Sequence, residues 1–202
     1  GEYRHYMEKE IFEQPQVIRD TLEGRIANEK LLEQSFGVNA SEIFDKIKRV
    51  HIVACGTSYH AGLVGQFWIE SLSKIPCSVS VASEYRYRHT VVESDTLFVT
   101  LSQSGETADT LAALKKAKSL NYLATLGICN VAESSLVRES ELVFMTRAGI
   151  EIGVASTKAF TTQLTSLILL SVALARRHGL TNTEENKIIH ALEQLPKTLE
   201  QA

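Results

Sequence analysis

Five continuous apolar runs constrain the fold of this 202-residue chain more than any other feature. They are rich in β-branched residues and do not alternate apolar with polar positions, as strands with one solvated face do. Strands that are buried on both faces have this pattern, which is typical of a parallel sheet. The runs are Val50 to Ala54, Val79 to Ala82, Leu97 to Leu101, Leu123 to Ile128 and Leu142 to Met145.

Helix-length segments separate these runs or follow them. Strands that alternate with helices predict an α/β fold, here a three-layer sandwich with a five-stranded parallel sheet of flavodoxin-like or Rossmann-like type. The last apolar segment, Phe160 to Arg177, is apolar nearly all round, so we expect a central helix or one that a partner subunit covers. The predicted helices are 58–73, 107–119, 135–140, 160–177 and 183–200.

The residues before the first run predict a helical lead-in over 1–45, packed on an α/β domain over 46–202. Arg4 to Phe36 is rich in Glu, Lys, Arg, Gln and Leu, which indicates one or two helices. Pro15 suits the first turn of the second of these helices, because its missing amide has no intrahelical partner there.

Two cap patterns predict where other helices begin. Asn39 can cap a short helix over 40–48, and Glu42 lies where it can reach back to the free amides. Thr181 and Glu184 have the spacing of a capping box at the start of the last helix.

Composition and charge narrow the classes of function. The net charge is −3 and no Lys/Arg-rich face stands out, so we expect no nucleic-acid partner. The longest apolar run, Ser166 to Ala175, is shorter than the roughly 20 residues that span a bilayer, so we expect no membrane association. No apolar segment of a secretory leader lies near Gly1, and the odd, widely spaced Cys55, Cys77 and Cys129 fit reduced thiols. These features indicate a cytoplasmic location.

Motifs for common cofactors are missing from the sequence. GxGxxG after a strand, GxxxxGK[ST], HExxH and paired CxxC do not occur, and the six histidines lack metal-ligand spacing. We therefore expect no cofactor and no metal.

The residues that follow the run Leu97 to Leu101 predict a phosphate site. In open parallel sheets, ligands bind beyond the carboxyl ends of the strands. Hydroxyl donors and free amides at a helix N-terminus suit a phosphate monoester, and a glycine lets the backbone approach closely. The alternative is that Ser104 is only a helix N-cap. The loop is Ser102, Gln103, Ser104, Gly105, Glu106 and Thr107.

Two further segments belong to the same predicted edge. Cys55, Gly56, Thr57 and Ser58 enter a helix after the first run and should lie near the phosphate loop. A nucleophilic role for Cys55 is disfavoured, because nothing indicates a His and an Asn or Asp beside it. His60 lies on the following helix, with no specific spacing to recommend it. The third segment, Glu151 to Lys158, could close over a ligand, although such charges are more often solvated than acid or base.

The motifs together resemble the glucosamine-6-phosphate synthase family, the glutamine:fructose-6-phosphate amidotransferases. An SxSGxT loop alone would indicate only the sugar isomerase (SIS) superfamily, whereas the whole set is specific to the synthases. The matching segments are Tyr3 to Met7, Lys9 to Ile11, Ala54 to Ser58, Ala82 to Arg88, Leu101 to Thr110 and Glu151 to Leu164.

The resemblance implies that the chain is a fragment, the first of two SIS subdomains in the isomerase half. It implies that the phosphate of fructose 6-phosphate or glucosamine 6-phosphate is held by Ser102, Gln103, Ser104 and Thr107. The neighbouring loop would contribute Cys55, Gly56, Thr57 and Ser58, while Val154 and Ser156 would touch the sugar. The roles of Glu84 and Arg86 stay open.

The family's catalytic His, Glu and Lys belong to the second subdomain, so the resemblance implies no catalytic residue in this chain. Its partners would be that subdomain, a glutaminase domain and a second copy in a homodimer. The isolated chain is expected to bind sugar phosphate without turnover. The alternatives are a free-standing SIS-type sugar-phosphate isomerase and a non-catalytic sugar-phosphate sensor.

Overall fold

The computed structural model of the protein describes residues 3–202, and two short helices come first. They are α1 (Tyr6–Phe12) and α2 (Gln14–Leu22), with Pro15 in the first turn of α2 as predicted. Gly1 and Glu2, the first residues of the predicted lead-in, lie outside the described residues.

The prediction of helix as far as Phe36 is wrong beyond α2. The chain instead forms an antiparallel hairpin of β1 (Ile26–Ala27) and β2 (Lys30–Leu31), followed by a 3-10 helix, Glu33–Phe36. Both residues of the hairpin turn, Asn28 and Glu29, have positive φ, as a type I′ turn requires. Only the Asn of this pair favours that conformation, so the turn is hard to recognise.

The predicted cap at Asn39 is also wrong. The helix α3 (Ala40–Phe44) is shorter than predicted, and the Asn39 side chain makes no capping hydrogen bond. Asn39 has φ −95° and ψ 11°, outside the extended conformation from which an N-cap side chain reaches the first-turn amides.

All five apolar runs form strands of one parallel sheet, which confirms the predicted fold class. The order across the sheet is β4-β3-β5-β6-β7. The second run is shifted from its prediction, because Ala82 already begins the short helix α5. The strands are β3 (Arg49–Ala54), β4 (Cys77–Val81), β5 (Thr96–Ser102), β6 (Ala124–Cys129) and β7 (Leu142–Met145).

Helices cover both faces of this sheet. The first face carries α4 (Gly56–Ser73) and α8 (Lys158–Ala175) over side chains such as Ile52 and Leu126. The second face carries α5 (Ala82–Tyr85), α6 (Ala108–Lys118) and α7 (Ser135–Glu139). The chain ends in α9 (Asn182–Gln201), which begins at the predicted capping box of Thr181 and Glu184.

The apolar helix α8 lies at the centre of the protein. Of the two predicted alternatives, a central helix or one covered by a partner subunit, the structure has the first. Fourteen of its eighteen residues are buried. It packs on α4, where a Cβ at Gly65 would lie 3.0 Å from Leu167, and on α2. By length and composition the stretch Lys158–His178 could cross a membrane, but 78% of its most apolar window is buried inside the protein. Self-association is therefore not needed to cover α8.

A polar cluster lies on the second face of the sheet around His51. Its Nδ1 lies 2.7 Å from the Tyr122 hydroxyl and its Nε2 lies 2.9 Å from the Ser80 hydroxyl. The Tyr85 hydroxyl donates to Tyr122, which leaves the Tyr122 proton for His51 Nδ1. Burial, together with the charge of Arg88, lowers the pKa of His51 to about 4. The ring is therefore neutral at neutral pH.

This cluster predicts acid sensitivity. Because the unfolded chain has a histidine pKa near 6.5, it binds more protons than the folded chain between about pH 6.5 and 4. The stability from the neutral ring is present above about pH 6.5 and lost as the pH falls towards 4. Urea unfolding should show a loss from His51 of about 2 kcal/mol between pH 7.5 and 5. His51→Gln should remove that loss and His190→Gln, at an exposed position, should keep it; equal losses in both variants would contradict this.

Candidate functional site

The candidate site lies where the connections of two neighbouring strands diverge. Strand β3 continues to β4 on one side, whereas β5 continues to β6 on the other. Ala54 of β3 pairs with Leu101 of β5, so the loops that follow both strands begin side by side. A crevice at such a switch point is the usual ligand position in open α/β sheets. The two predicted loops are therefore brought together.

The loop 102–107 is folded by bonds between its own groups. The Ser102 hydroxyl accepts from the Gly105 amide at 2.9 Å, and the Ser104 hydroxyl accepts from the Glu106 amide at 3.2 Å. The N-cap of α6 is Thr107, whose side chain makes no capping bond. The alternative in which Ser104 is only an N-cap is therefore wrong. Thr107 is exposed, and the first-turn amides of α6 have no intrahelical partner.

Gly105 is required by both conformation and space. It is buried and has φ +68°, in the left-handed region. A Cβ there would lie 2.5 Å from Ser134 Cβ and 2.7 Å from Cys129 Sγ. No side chain fits, so the loop can adopt this shape only with glycine.

Residues at and after the end of β6 contact the loop 102–107, and the sequence analysis did not identify them. The Asn130 amide donates to the Gln103 carbonyl at 3.3 Å, and Cys129 Sγ lies 3.8 Å from the same oxygen. The Asn130 side chain also binds the Ala148 amide and the Gly149 carbonyl, both at 2.6 Å. Asn130 thus joins the loop 102–107 to the segment after β7. Its place just after an apolar run was the signal that could have revealed it.

The neighbouring loop opens a second helix N-terminus towards the crevice. Cys55 is the N-cap of α4 and makes no capping bond, and the exposed Gly56 has φ +57°. Thr57 is exposed. The Ser58 hydroxyl accepts from Gln163 Nε2 at 3.0 Å, while Gln163 Oε1 is buried with no partner among the described residues. Two helix dipoles therefore favour an anion here.

The third segment carries charges that are neither solvated nor free, so the prediction of solvated charges is wrong. Glu151 caps α8, because its carboxylate accepts from the amides of Thr157 at 2.9 Å and Ala159 at 3.1 Å. Lys158 is 4% exposed and lies 2.7 Å from Glu13. The hydrogen bond from Lys158 lowers the pKa of the Glu13 carboxyl.

The two residues of this segment that the resemblance assigns to the sugar differ in environment. Val154 is fully exposed, whereas the half-buried Ser156 donates to the Glu151 carboxylate at 3.0 Å. Asn130 binds Ala148 and Gly149, which precede this segment, and its amide donates to the loop 102–107.

Charge near the crevice is balanced by ion pairing. Arg86, which follows β4, pairs with Asp109 in the first turn of α6 at 2.7 Å. This pairing offsets a carboxylate that would otherwise repel an anion at that helix N-terminus. Glu84 is exposed. Within residues 3–202, no group of three His, Cys, Asp or Glu side chains could hold a metal ion.

Comparisons with curated proteins extend over the whole chain. The chain is 55% identical over 202 residues to the glutamine–fructose-6-phosphate aminotransferase [isomerizing] of Idiomarina loihiensis. It is 59% identical over 203 residues to the enzyme of the same name from Pseudomonas syringae pv. tomato. The chain spans about a third of the length of these relatives, 33% in each case.

Solved structures agree with this result. The C-terminal domain of glucosamine-fructose-6-phosphate aminotransferase from Francisella tularensis matches with a TM-score of 0.94 and 50% identity, over 97% of this chain and 55% of that one. Glucosamine-6-phosphate deaminase from Thermotoga maritima matches with a TM-score of 0.69 and 25% identity, over 93% and 53%. The resemblance that the motifs indicated is confirmed. Because the SIS domain model matches residues 43–173, the chain belongs to the SIS domain family.

Proposed function

We propose that the chain is the first SIS subdomain in the isomerase half of a glutamine:fructose-6-phosphate aminotransferase. It binds fructose 6-phosphate and glucosamine 6-phosphate in the crevice between β3 and β5. The observation that carries this proposal is the pairing of two uncapped helix N-termini beside the hydroxyl-rich loop 102–107. The names of the full-length relatives support the substrate class.

The loop hydroxyls have their protons free for a phosphate. Ser102 and Ser104 use oxygen lone pairs to accept backbone amides, so their single protons can point to phosphate oxygens. Thr107 adds a third hydroxyl, and Gln103 lies beside them. Such donors hold a dianion without a lysine or arginine, because the amides and dipoles supply the positive potential.

The sugar lies, in this proposal, between the loop 55–58 and the third segment. Gln163 donates to the Ser58 hydroxyl, which leaves the Ser58 proton for a sugar oxygen. Cys55, Gly56 and Thr57 line the same side with backbone and small side chains. Val154 and Ser156 approach from the third segment.

The chain binds and orients its ligand but performs no proton transfer. Isomerisation needs a positioned acid or base that can exchange a proton with adjacent carbons. Glu151 is engaged by the N-terminus of α8, and Lys158 is paired with Glu13. The second SIS subdomain supplies the catalytic groups and the glutaminase domain supplies ammonia.

Further parts of the proposal concern assembly and location. The complete enzyme is a cytoplasmic homodimer, and exposed apolar side chains such as Tyr6, Phe12 and Phe67 are available for contacts with other domains or a second copy. The identity of 55% to 59% along the whole chain favours the aminotransferase over a free-standing isomerase or a sensor.

The phosphate assignment is tested by calorimetric titration with fructose 6-phosphate and glucosamine 6-phosphate. Ser104→Ala and Thr107→Ala each remove a hydrogen bond to an anion, worth about 1.5 to 3 kcal/mol. We expect either change to weaken binding by roughly 10- to 150-fold. Ser94→Ala and Thr183→Ala, which remove exposed hydroxyls elsewhere, should bind like the wild type. Unchanged affinity in both loop variants would place the phosphate elsewhere.

The glycine requirement gives a second prediction. Gly24 and Gly105 both have positive φ, but only at Gly105 would a Cβ overlap other atoms. Gly24→Ala should cost about 1 to 3 kcal/mol of unfolding free energy from backbone strain. Gly105→Ala should cost about 1 to 3 kcal/mol more, from overpacking, and should abolish sugar-phosphate binding. If Gly105→Ala were as stable as Gly24→Ala and still bound sugar phosphate, the described packing of the loop would be contradicted.

The third prediction concerns turnover. With fructose 6-phosphate and ammonia, the isolated chain should form no glucosamine 6-phosphate above the uncatalysed background, because it lacks the acid and base groups. Product formation that scales with the concentration of the chain would show that residues 1–202 contain a complete catalytic site.

A further inference from the structure

A buried carboxylate from the lead-in reaches the third segment of the candidate site. Glu10 of α1 is 2% exposed. Its Oε1 accepts from the Ile152 amide at 2.6 Å and from the Gly153 amide at 3.1 Å. Bonds from amides to a charged acceptor are strong, and they offset part of the cost of burying the charge. The contact joins residues more than 140 positions apart.

The fit between these groups is close. A Cβ at Gly153 would lie 2.5 Å from Glu10 Oε2, so a larger residue at this position would displace the carboxylate. The absence of a side chain lets both backbone amides meet one carboxylate.

A second anchor holds the far end of the segment. Glu13 pairs with the buried Lys158 at 2.7 Å, and Gln14 accepts from the Thr161 hydroxyl at 2.5 Å. Glu151 binds the amides of Thr157 and Ala159 within the segment itself. Side chains of α1 and of the α1–α2 junction therefore bind the segment on both sides of Val154, Glu10 before it and Glu13 after it.

The part of the segment that no such bond holds is short as a result. Ile152 and Gly153 are fixed by Glu10, and the chain is fixed again from Ser156 onwards by Glu151. Val154 and Ala155 stand between these anchors, and both are exposed. The position of Val154 is thus set by bonds at either side rather than by packing of its own side chain.

We propose that Glu10 is a positioning residue for sugar recognition. Its carboxylate fixes the backbone of Ile152 and Gly153 so that Val154 and Ser156 meet the sugar portion of the ligand. This inference rests on the proposed function, because it assumes that a sugar phosphate binds in the crevice. The loop 102–107 has supports of its own after β6, because the Asn130 amide donates to the Gln103 carbonyl and the Leu136 amide donates to the Gly105 carbonyl. We therefore expect this loop to keep its shape when Glu10 is changed.

The test compares two ligands that share the phosphate. Glu10→Gln replaces one acceptor oxygen by an amide group that donates towards backbone donors, so the segment should shift. We expect the affinity for fructose 6-phosphate to fall about tenfold and the affinity for inorganic phosphate to stay unchanged. The control is Glu8→Gln, an exposed change on the same helix, which should leave both affinities as in the wild type.

A second variant guards against a folding defect in Glu10→Gln. Gly153→Ala places a methyl group against the Glu10 carboxylate. It should give the same loss of affinity for fructose 6-phosphate, with the affinity for inorganic phosphate unchanged. In a Glu10→Ala background, where the carboxylate is absent, adding Gly153→Ala should cost less than it does alone.

The outcomes separate this inference from the proposed function. If the folded wild type binds neither fructose 6-phosphate nor inorganic phosphate, the proposed function fails and this inference fails with it. If the wild type binds both and Glu10→Gln matches Glu8→Gln, only the inference is overturned. An equal loss for the two ligands would also overturn it, because Glu10 would then support the fold in general.

Discussion

The parallel pairing of β3 with β5 is the constraint on which the candidate site depends. The pair begins with Arg49 opposite Thr96 and ends with Ala54 opposite Leu101. After β3 the chain enters α4 on one face of the sheet, and after β5 it leads to α6 on the other face. The chain thereby places two helix N-termini at one point without cross-links. The amides and dipoles at these two N-termini create a local positive potential that the fold orients in advance.

Polar side chains from distant parts of the chain stabilise the loops around this point. Asn130 connects the loop 102–107 to the segment after β7, and Glu10 connects that segment to the lead-in. Gln163 ties the helix α8 to Ser58 at the start of α4. Each of these bonds joins elements that are far apart in the sequence. The lead-in is therefore connected to the site as well as to the core.

Elements with local causes could be predicted from the sequence. The five apolar runs form strands, as their lack of apolar–polar alternation predicted, since strands buried on both faces show no alternation. The capping box at Thr181 begins α9 as predicted, because its two bonds join residues only three positions apart. The rule that ligands lie beyond the carboxyl ends of strands brought the loops 55–58 and 102–107 together correctly. Whether those residues bind a phosphate stays a prediction.

Features with distant causes could not be predicted. The sequence around Glu151 reads as a solvated loop, yet the carboxylate caps a helix whose start it defines. Lys158 is buried because Glu13, 145 positions away, neutralises it. The hairpin at Asn28 and Glu29 lies in a helix-like composition, and tertiary contacts of Leu31 decide its structure. Hydrophobic periodicity and secondary-structure propensity are local properties, so they do not reveal contacts between residues that are far apart in the sequence.

Sugar-phosphate binding between β3 and β5 is best tested by recording amide chemical shifts in a two-dimensional nitrogen–proton spectrum as fructose 6-phosphate is added. We expect the largest changes at 55–58 and 102–110, with smaller changes at 152–156. Changes confined to another cavity, such as the one at the edge of β7 that Arg25 and Arg147 line, would show that the ligand does not bind between β3 and β5.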